Sequence, residues 1–445
     1  MKKNKGEIMK KLLTVSLFAL IIVSMSVGAF ANGLSLNSVG IKALSMGGAF
    51  VGQADDITAI YWNPAGLANQ GSGVQAFGVD IMPIGSYKAD GTDFGVPAEY
   101  ITIDADMKSN HYPSPNIFIN HRVDKLALSF GIYIPAGLGA EYDGKDLLAL
   151  SQGVEQEWMS KIGVINFSPA IAYDFERFQI GAAMNIMYGM FDIKRPANYD
   201  SDGDMVHDTS SQYEESSTGL GYGVSVSGLF HVNEMLSFGA NLRTKSNVKM
   251  KGEAENPAMA AAGAAKTDFD RDVSWPTWIG AGVSFKPNEK LTVNADIQYS
   301  AWEDSEDRFK TEFDNAAWAA ATAATGDDTF VLEWEDAIQY RLGMEYMVKP
   351  CVAMRAGYYY DPAPAPDERI NILFPSSTNH TATYGIGWSK DQLSIDFGLE
   401  YLFGAEREVE AYYENPDPNN PSPENMPGLH QMDIFAFGLG VTYRY

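Results

Sequence analysis

The sequence predicts an all-β protein, built as a 14-stranded antiparallel transmembrane β-barrel. Apolar side chains recur at every second position in long segments between residue 74 and the C-terminus. Tight turns alternate with long loops between these segments, and the chain begins with the pattern of an export signal. We therefore expect a signal peptide over residues 1–31, a non-alternating segment over 32–73 and the barrel over 74–445.

The composition excludes several classes of protein. With 57 acidic and 32 basic side chains, the 445-residue chain carries a net charge of −25, which argues against binding to nucleic-acid phosphates. Its single cysteine, Cys351, excludes an internal disulfide. The 42 glycines, 23 phenylalanines and 23 tyrosines, with only 20% charged residues, favour an all-β chain.

No motif in the sequence indicates an enzyme, a cofactor or a metal. The cysteine and histidines lack zinc-site spacing, and neither H-E-x-x-H, nor G-x-S-x-G, nor a P-loop occurs. Residues 200–204 place carboxylates at every second position, with Asp208 nearby, as calcium loops do, but they lack the glycine and glutamate positions of an EF-hand. A calcium site stays open there, and the missing positions favour a solvated loop.

The N-terminal 31 residues have the three parts of a secretory signal peptide. Five lysines lie within residues 2–11, an apolar stretch runs from Leu12 to Val23, and Ala29-Phe30-Ala31 supplies an A-x-A cleavage site before Asn32. The alternative is an N-terminal membrane anchor, which the short apolar stretch and the small-residue end disfavour. No later stretch reaches the roughly 18 apolar residues of a membrane helix, so strands must do any crossing.

The strand prediction depends on period-two alternation, which is clearest over residues 291–299, 393–403 and 435–445. The faces that alternate with the apolar side chains are rich in Gly, Ala, Ser, Thr and Asn, which suits a barrel lumen better than bulk water. The fourteen predicted strands are 74–82, 115–121, 125–134, 162–174, 177–190, 219–232, 235–250, 273–286, 290–302, 335–348, 351–361, 380–389, 391–405 and 430–445.

The connections predict where the barrel lies. Tight turns at 121–124, 175–176, 286–289, 349–350 and 389–391 alternate with much longer loops. Short turns on one rim and long loops on the other are typical of barrels in the outer membrane of Gram-negative cells. The barrel must close, because an open sheet edge in lipid leaves backbone groups without partners.

A glycine-rich region before the first strand resembles a known family. The run S-M-G-G-A-F-V-G-Q-A-D-D over residues 45–56 is followed by Y-W-N-P-A-G-L over 61–67. These residues resemble the FadL-type outer-membrane transporters of long-chain fatty acids and aromatic hydrocarbons, as do residues 337–344 and 357–364. The resemblance implies that residues 32–73 form an N-terminal hatch, or plug, inside the barrel.

The resemblance also implies a function, the passive uptake of hydrophobic small molecules past a movable hatch. It points to seven hatch residues with a gating role, or with a merely structural one: Gly47, Gly48, Asp55, Asp56, Asn63, Pro64 and Ala65. In the resembled family a kink in the third strand opens a lateral exit through the wall. Candidates for such an opening here are Gly131, Tyr133, Pro135 and Gly137, for which an ordinary strand end is the alternative.

Alternation places four basic residues inside the lumen: Arg243, Lys245, Arg341 and Arg355. Each could contact a polar ligand head or pair with one of the predicted lumenal carboxylates, which are Asp296, Glu345 and Glu400. Where the resembled fatty acid transporters carry a basic residue, this chain has Glu335, which leaves neutral hydrocarbons open as substrates. Alanine-rich loops over residues 254–265 and 316–324 could form short helices that offer Trp318, Met259 and Phe269 as an apolar capture groove.

Two other functions remain possible for such a barrel. A general porin would conduct ions, and a surface adhesion or assembly barrel would act through its long loops. The predicted hatch argues against a porin. For any of the three functions we expect a monomer in contact with outer-membrane lipids and lipopolysaccharide, inserted by the barrel-assembly machinery.

Overall fold

The computed structural model describes residues 33, 35–36, 38–200, 207–305, 307–414 and 423–445. The predicted signal peptide and most of the acidic run at 200–208 lie outside these residues. The strands are β1 (Gly73–Asp90), β2 (Thr102–Asp106), β3 (Tyr112–Val123), β4 (Leu126–Tyr142), β5 (Trp158–Asp174), β6 (Phe178–Tyr199), β7 (Thr209–Asn233), β8 (Leu236–Arg243), β9 (Ser246–Glu255), β10 (Lys266–Trp275), β11 (Thr277–Asn288), β12 (Leu291–Ala301), β13 (Arg308–Phe313), β14 (Thr329–Val331), β15 (Ala337–Lys349), β16 (Val352–Asp361), β17 (Asn379–Lys390), β18 (Leu393–Gly404), β19 (Arg407–Val409) and β20 (Gly428–Arg444).

Helical structure is confined to short pieces in the described part of the chain. The α-helices are α1 (Ile41–Ser45), α2 (Ala59–Trp62) and α3 (Ala316–Thr325), and 3₁₀ turns cover Pro64–Asn69, Gly91–Phe94, Ala98–Tyr100, Gly144–Ser151, Pro257–Ala262 and Asp367–Arg369. None of these helices has both the length and the apolar character needed to cross a membrane. The predicted loop helix at 316–324 is confirmed as α3, whereas 254–265 forms only the 3₁₀ turn between β9 and β10.

The strands close into the predicted 14-stranded antiparallel barrel. β1 pairs with β3 on one side and with β20 on the other, from Gly73 opposite Arg444 to Lys88 opposite Leu429. β8 with β9, and β10 with β11, each form one of the predicted strands, while β2, β13, β14 and β19 extend the wall outside them. Closure gives each of the fourteen barrel strands two neighbours, as a sheet in lipid requires.

Two adjacent strands break at the same height, and the breaks correct one prediction. β8 gives way to β9 at Thr244-Lys245, beside Pro276, which lacks the N–H needed to join β10 to β11. Every second residue of β8 faces inward up to Arg243, and the next inward residue is Ser246. The alternation is therefore interrupted at Thr244 and Lys245. The prediction that Lys245 faces the lumen is therefore wrong: its side chain is exposed, and its Nζ donates to the Asp304 carbonyl at 2.6 Å.

Apolar side chains face outward and polar ones face inward, as the alternation predicts. On β7, Tyr222, Val224 and Val226 are 57%, 44% and 56% exposed, while Ser225 and Ser227 between and beside them are buried. The same outward exposure holds along β20 for Phe437, Leu439, Val441 and Tyr443. Such a wall is stable where hydrocarbon surrounds it and would be unstable in water.

Residues 39–70, which we call the lumenal segment, are almost all buried and fill the barrel. Their backbone and side chains lie so close to the inner wall that a Cβ added to any of several wall glycines would lie under 3 Å from an atom of the segment. Wall glycines make that approach possible. They include Gly181, Gly239, Gly282, Gly343, Gly357, Gly385, Gly398 and Gly438.

Candidate functional site

The predicted Gly47-Gly48 pair forms a turn against the wall made by β15 and β16. Both residues have left-handed φ angles, +64° and +65°, which glycine adopts without strain. The Gly47 N–H donates to Thr383 Oγ1 at 3.0 Å, and the Gly47 carbonyl accepts from Arg341 Nη1 at 3.0 Å. The turn is therefore bonded to the wall from both of its polar sides.

The next turn of the lumenal segment is held by one carboxylate of the wall. Asp296 on β12 accepts from the backbone N–H groups of Phe50 and Val51 at 2.7 and 2.8 Å. Asn294, two residues earlier on the same inner face, donates to the Ala49 carbonyl at 2.7 Å. Inward polar residues thus satisfy backbone groups of the lumenal segment that its short helices leave free.

Asn63 ties the Asn-Pro-Ala motif both to its own turn and to the wall. Its side chain is fully buried and donates from Nδ2 to the carbonyls of Val51 and Gly228, at 2.9 and 3.1 Å. Its Oδ1 accepts from the Ala65 N–H at 3.2 Å, which caps the 3₁₀ turn that begins at Pro64. Proline fits this first helical position because its missing N–H needs no partner there.

An ionic network joins the lumenal segment to β15, β16 and β18. Lys42 on α1 lies 2.9 Å from Asp55 and 3.3 Å from Glu345. Arg355 contacts Glu345 at 2.7 Å and Asp396 at 2.6 Å. Arg355 is therefore paired with carboxylates, which was the alternative to contact with a ligand head, and it does not line the cavity described below.

Asp56, the second aspartate of the D-D pair, has a local role. Its Oδ1 accepts from the N–H and the hydroxyl of Thr58, at 2.8 and 2.5 Å, and its Oδ2 accepts from Gln75 at 3.3 Å. It closes the turn that leads into α2 and joins that turn to β1. Both aspartates are therefore engaged in holding the lumenal segment in place.

The other two basic candidates also contact the lumenal segment. Arg341 is buried under Trp62 and beside Tyr359, whose ring centroid lies 4.3 Å from its guanidinium carbon. Arg243 donates to the Tyr61 carbonyl at 2.8 Å and lies over the Tyr61 and Trp278 rings at 4.3 and 4.9 Å. The structure thus places both guanidiniums against residues of the lumenal segment.

A cavity of about 750 Å³ lies beside the lumenal segment. It follows the inner faces of β18, β20 and β1 toward β3 and β4. Its middle is lined by apolar side chains, namely Val39, Leu44, Phe77, Val79, Ile81, Leu402 and Ile434. One end is polar, with Asp361, Glu400, Ser376, Ser377 and Asn379.

At its other end the cavity reaches a gap in the barrel wall, which we call the wall window. Pairing of β3 with β4 stops at Ile117 opposite Ile132, so residues 112–116 and 134–139 flank an interval without ladder bonds between these strands. The register of β4 against β5 also shifts between Tyr133 and Ala136. Pro135 lies in this bulge, where its missing N–H costs no ladder bond.

The window has defined edges. At its lower edge, toward the paired part of β3 and β4, the Ile134 N–H donates to Asn116 Oδ1 at 2.9 Å. At its upper edge, Met107 forms a β-bridge with Tyr142. On the inner side, the Leu36 N–H donates to the Pro135 carbonyl at 2.9 Å. The cavity is lined here both by inward residues and by residues on the outer face of β5 and β6, including Met159, Lys161 and Met190.

Of the four predicted opening residues, two lie at the window and two lie below it. Pro135 and Gly137 are in the kinked stretch, and Gly137 lines the cavity. Tyr133 is buried, with its ring stacked 5.4 Å from Phe118, and it receives a hydrogen bond from Asn166 at 2.7 Å. Gly131 faces the Phe118 ring. The latter pair therefore belongs to the closed wall beneath the gap.

The predicted capture residues lie away from this cavity. Phe269 and Trp318 are buried in a cluster with Tyr213, Ala254 and Phe313, against which Met259 packs. Beside this cluster, Arg271 forms a buried ion pair with Glu215. Sequence reasoning missed the true lining because inward apolar residues such as Phe77 and Val79 break the polar inner face only locally.

A closed barrel with an apolar outer wall and a filled lumen defines an outer-membrane β-barrel protein. The family model described as outer membrane protein transport protein (OMPP1/FadL/TodX) matches residues 22–445. The chain belongs to this family, and the resemblance seen in the sequence is confirmed. Its location is the outer membrane.

Individual relatives are distant in sequence. NMB0088 of Neisseria meningitidis serogroup B, which is named as an outer membrane protein, is 23% identical over 427 residues, covering 86% of this chain and 85% of its own length. A FadL homologue of Pseudomonas aeruginosa superposes with a TM-score of 0.76 at 16% identity, covering 93% of this chain and 99% of that one. The toluene transporter TodX of Pseudomonas putida gives 0.70 at 17% identity, covering 94% and 100%. These likenesses establish the shared fold.

Proposed function

We propose that this protein carries hydrophobic small molecules inward across the outer membrane by diffusion, and that they leave through the wall window. The observation that carries the proposal is the cavity of about 750 Å³, which joins an apolar inner track to a gap in the wall. Solved structures of the same fold include a channel named as a toluene transporter, which agrees with a hydrophobic cargo.

The physical case for a hydrophobic cargo lies in the middle of the cavity. Phe77, Val79 and Ile434 offer apolar surface, and each CH₂ group that leaves water for such surface gains about 0.8 kcal/mol. Lipid outside the window offers an equally apolar destination. A molecule can therefore pass sideways into the bilayer without returning to water, and no energy source is needed beyond its concentration gradient.

The filled lumen favours this function over a general porin. The lumenal segment contacts the wall on β6, β8, β11, β15, β16, β17, β18 and β20, which blocks a straight aqueous path. The gating role that we propose for its Gly47-Gly48 turn and Asn-Pro-Ala motif is a small rearrangement that widens the cavity. Several separate hydrogen bonds to the wall, such as those of Asn63 and Asp296, hold the closed form.

The window can be tested by narrowing it with one side chain. A Cβ at Gly137 would meet only the Ile162 carbonyl, at 3.5 Å, so Gly137→Leu should fold and project into the opening. We expect the initial rate of radiolabelled naphthalene uptake by cells to fall by roughly an order of magnitude, because a passage must fit its ligand closely.

The matched control is Gly78→Leu on the lipid-facing side of β1, where a Cβ meets no atom within 4 Å. It adds the same side chain without touching the cavity, so uptake should match the unaltered protein. Equal uptake by all three proteins, at equal amounts of folded barrel, would rule out the window as the exit.

A further inference from the structure

One aromatic side chain lies across the wall window. Tyr112 is the first residue of β3 and lines the cavity, and its position continues the inward face of that strand, on which Ser114 and Asn116 are buried. Across the gap, a Cβ at Gly139 of β4 would lie under 3 Å from three atoms at the hydroxyl end of Tyr112. The Tyr112 ring therefore reaches from β3 to β4 where the two strands share no ladder bonds.

Gly139 is the seat of this ring on the outer side of β4. It pairs with Lys161 of β5, whose side chain is exposed on the outer face of the barrel, and paired residues of antiparallel strands point to the same face. Gly139 is nevertheless buried, as expected where a ring covers it. Its φ angle is not left-handed, so a side chain is disfavoured here by the space that the ring occupies. The ring thus passes through the wall, from the inner face of β3 to the outer face of β4.

The ring divides the window into a sealed part and an open slot. Above the ring, Glu141 of β4 accepts from Asn110 and Lys108 at 2.8 and 2.9 Å, which reconnects the two strands through side chains. Below the ring, the bond between Asn116 and Ile134 marks the other end of the slot. Because the strands are held together at both ends, the slot between them is only about as wide as the tyrosine side chain that spans it.

We infer that Tyr112 sets the size limit of the wall window, closing it with its ring and admitting flat hydrophobic molecules that take the place of the ring. The inference rests on the proposed function and adds a specificity-determining residue and a class of substrate, flat ring systems before globular molecules of the same carbon number. A molecule as thin as the ring fits the slot that the ring leaves. A globular molecule would need the two strands to separate further, against the bonds at both ends of the slot.

The ring can leave its seat without disturbing the wall. It is held through its side chain, by contact with Gly139 and by a hydrogen bond with Asn110, and not by a ladder bond to β4. Rotation of a tyrosine between its side-chain rotamers leaves the backbone pairing of Tyr112 with Ile81 of β1 in place. Opening therefore requires the movement of one side chain rather than of a strand.

Two hydrocarbons with the same number of carbon atoms and different thickness test the inference. Cells are supplied with radiolabelled naphthalene, which is flat, or adamantane, which is globular, and initial uptake is corrected for cells that lack the barrel. We expect the unaltered protein to take up naphthalene faster. In Tyr112→Ala the ring is absent, so the ratio of adamantane to naphthalene uptake should rise about tenfold. An unchanged ratio, at an equal amount of folded barrel, would overturn the inference.

Two further variants show whether the ring itself sets the limit. Tyr112→Phe keeps the ring and loses only the hydroxyl, so the ratio should stay near that of the unaltered protein, and a ratio as high as in Tyr112→Ala would contradict a limit set by the ring. Tyr222→Ala, the same substitution on the lipid-facing side of β7, is the matched control and should not change the ratio. A rise in Tyr222→Ala equal to that in Tyr112→Ala would contradict a local effect.

Gly139→Ala tests the seat of the ring without altering Tyr112. The added Cβ would overlap the ring and displace it from its seat, so the ratio of adamantane to naphthalene uptake should rise severalfold. In Tyr112→Ala there is no ring to displace, so adding Gly139→Ala should have no further effect. Additive effects of the two substitutions would mean that the residues act separately, against the inference.

Naphthalene uptake separates this inference from the function on which it rests. If Gly137→Leu slows the uptake of naphthalene while Tyr112→Ala leaves the ratio unchanged, the window stands as the exit and the role of Tyr112 is wrong. If the unaltered protein takes up no naphthalene, the proposed function itself is wrong, and the inference fails with it.

Discussion

At the scale of single residues, Asn63 holds three parts of the molecule together. One short side chain bonds a neighbouring turn of the lumenal segment, through Val51, a wall strand, through Gly228, and its own 3₁₀ turn, through Ala65. The motif was visible in the sequence, and so was its preference for turn geometry before proline. The partner on β7 was not, because it depends on how the segment is seated in the barrel.

The Asn63→Ala variant should loosen the lumenal segment and leave the barrel intact. It removes both donors to buried carbonyls, and each unsatisfied buried group costs about 1–3 kcal/mol. We expect backbone amides over residues 51–67 to exchange with deuterium about tenfold faster or more, as measured by mass spectrometry. Asn69→Ala, at an exposed position, is the control. Unchanged exchange over 51–67 would show that the Asn63 bonds contribute nothing to holding the segment.

At the scale of elements, the strands were far easier to predict than their ends. All fourteen predicted segments correspond to barrel strands, because one apolar face in lipid fixes the alternation over many residues. Several predicted strands, including 74–82, 125–134 and 177–190, stop short of the observed β1, β4 and β6, and β2, β13, β14 and β19 were missed. These parts extend beyond the lipid, where neighbouring loops rather than hydrocarbon cover the outer face of the strands. Apolar and polar residues therefore no longer need to alternate there.

The docking of α1 and the turn after it depends on charge. Burial opposes ionisation of Asp55, but Lys42, Lys286 and the amide of Gln53 outweigh it and lower the pKa of Asp55 to about 2. A carboxyl with a lowered pKa stabilises the folded form above its unfolded pKa, about 4. That stabilisation is lost as the pH falls through the folded value.

The Asp55→Asn variant tests this dependence. Between pH 4 and pH 6, amides over residues 41–56 should exchange about tenfold faster in the variant than in the unaltered protein, and the two should converge near pH 2. Asp124→Asn, at an exposed position in the turn between β3 and β4, should match the unaltered protein throughout. A difference that persists undiminished at pH 2 would mean that the charge of Asp55 is not what docks the segment.

At the scale of the whole molecule, the barrel and the lumenal segment are complementary surfaces. The wall supplies glycines where the segment comes close and polar side chains where its backbone needs partners. The sequence predicted both components and the family, but not the position of the cavity. The cavity lies where this complementarity ends, and the wall window lies where the β4–β5 register shifts, so both depend on contacts between residues far apart in the chain.

Because the wall and the lumenal segment fit each other closely, we expect that removing the segment opens the barrel. Deleting residues 33–70 leaves every wall pairing from β1 to β20 in place, so the barrel should still assemble and migrate as a folded form on unheated gels. Its inner face would then present Asn241, Asn294 and Gln298, buried in the intact protein, to water. A 14-stranded barrel with a polar, hydrated interior is wide enough to conduct ions.

We expect single-channel conductance in planar bilayers to rise by about an order of magnitude or more on this deletion, since barrel width grows with strand number and the segment is what fills that width. Removing residues 257–262, the loop turn between β9 and β10, is the control, because this turn is not part of the lumenal segment and its loss should leave conductance low. A folded barrel that lacks residues 33–70 but conducts no better than the intact protein would show that the lumenal segment is not the barrier. The passage of hydrophobic molecules could then not be controlled by movement of that segment.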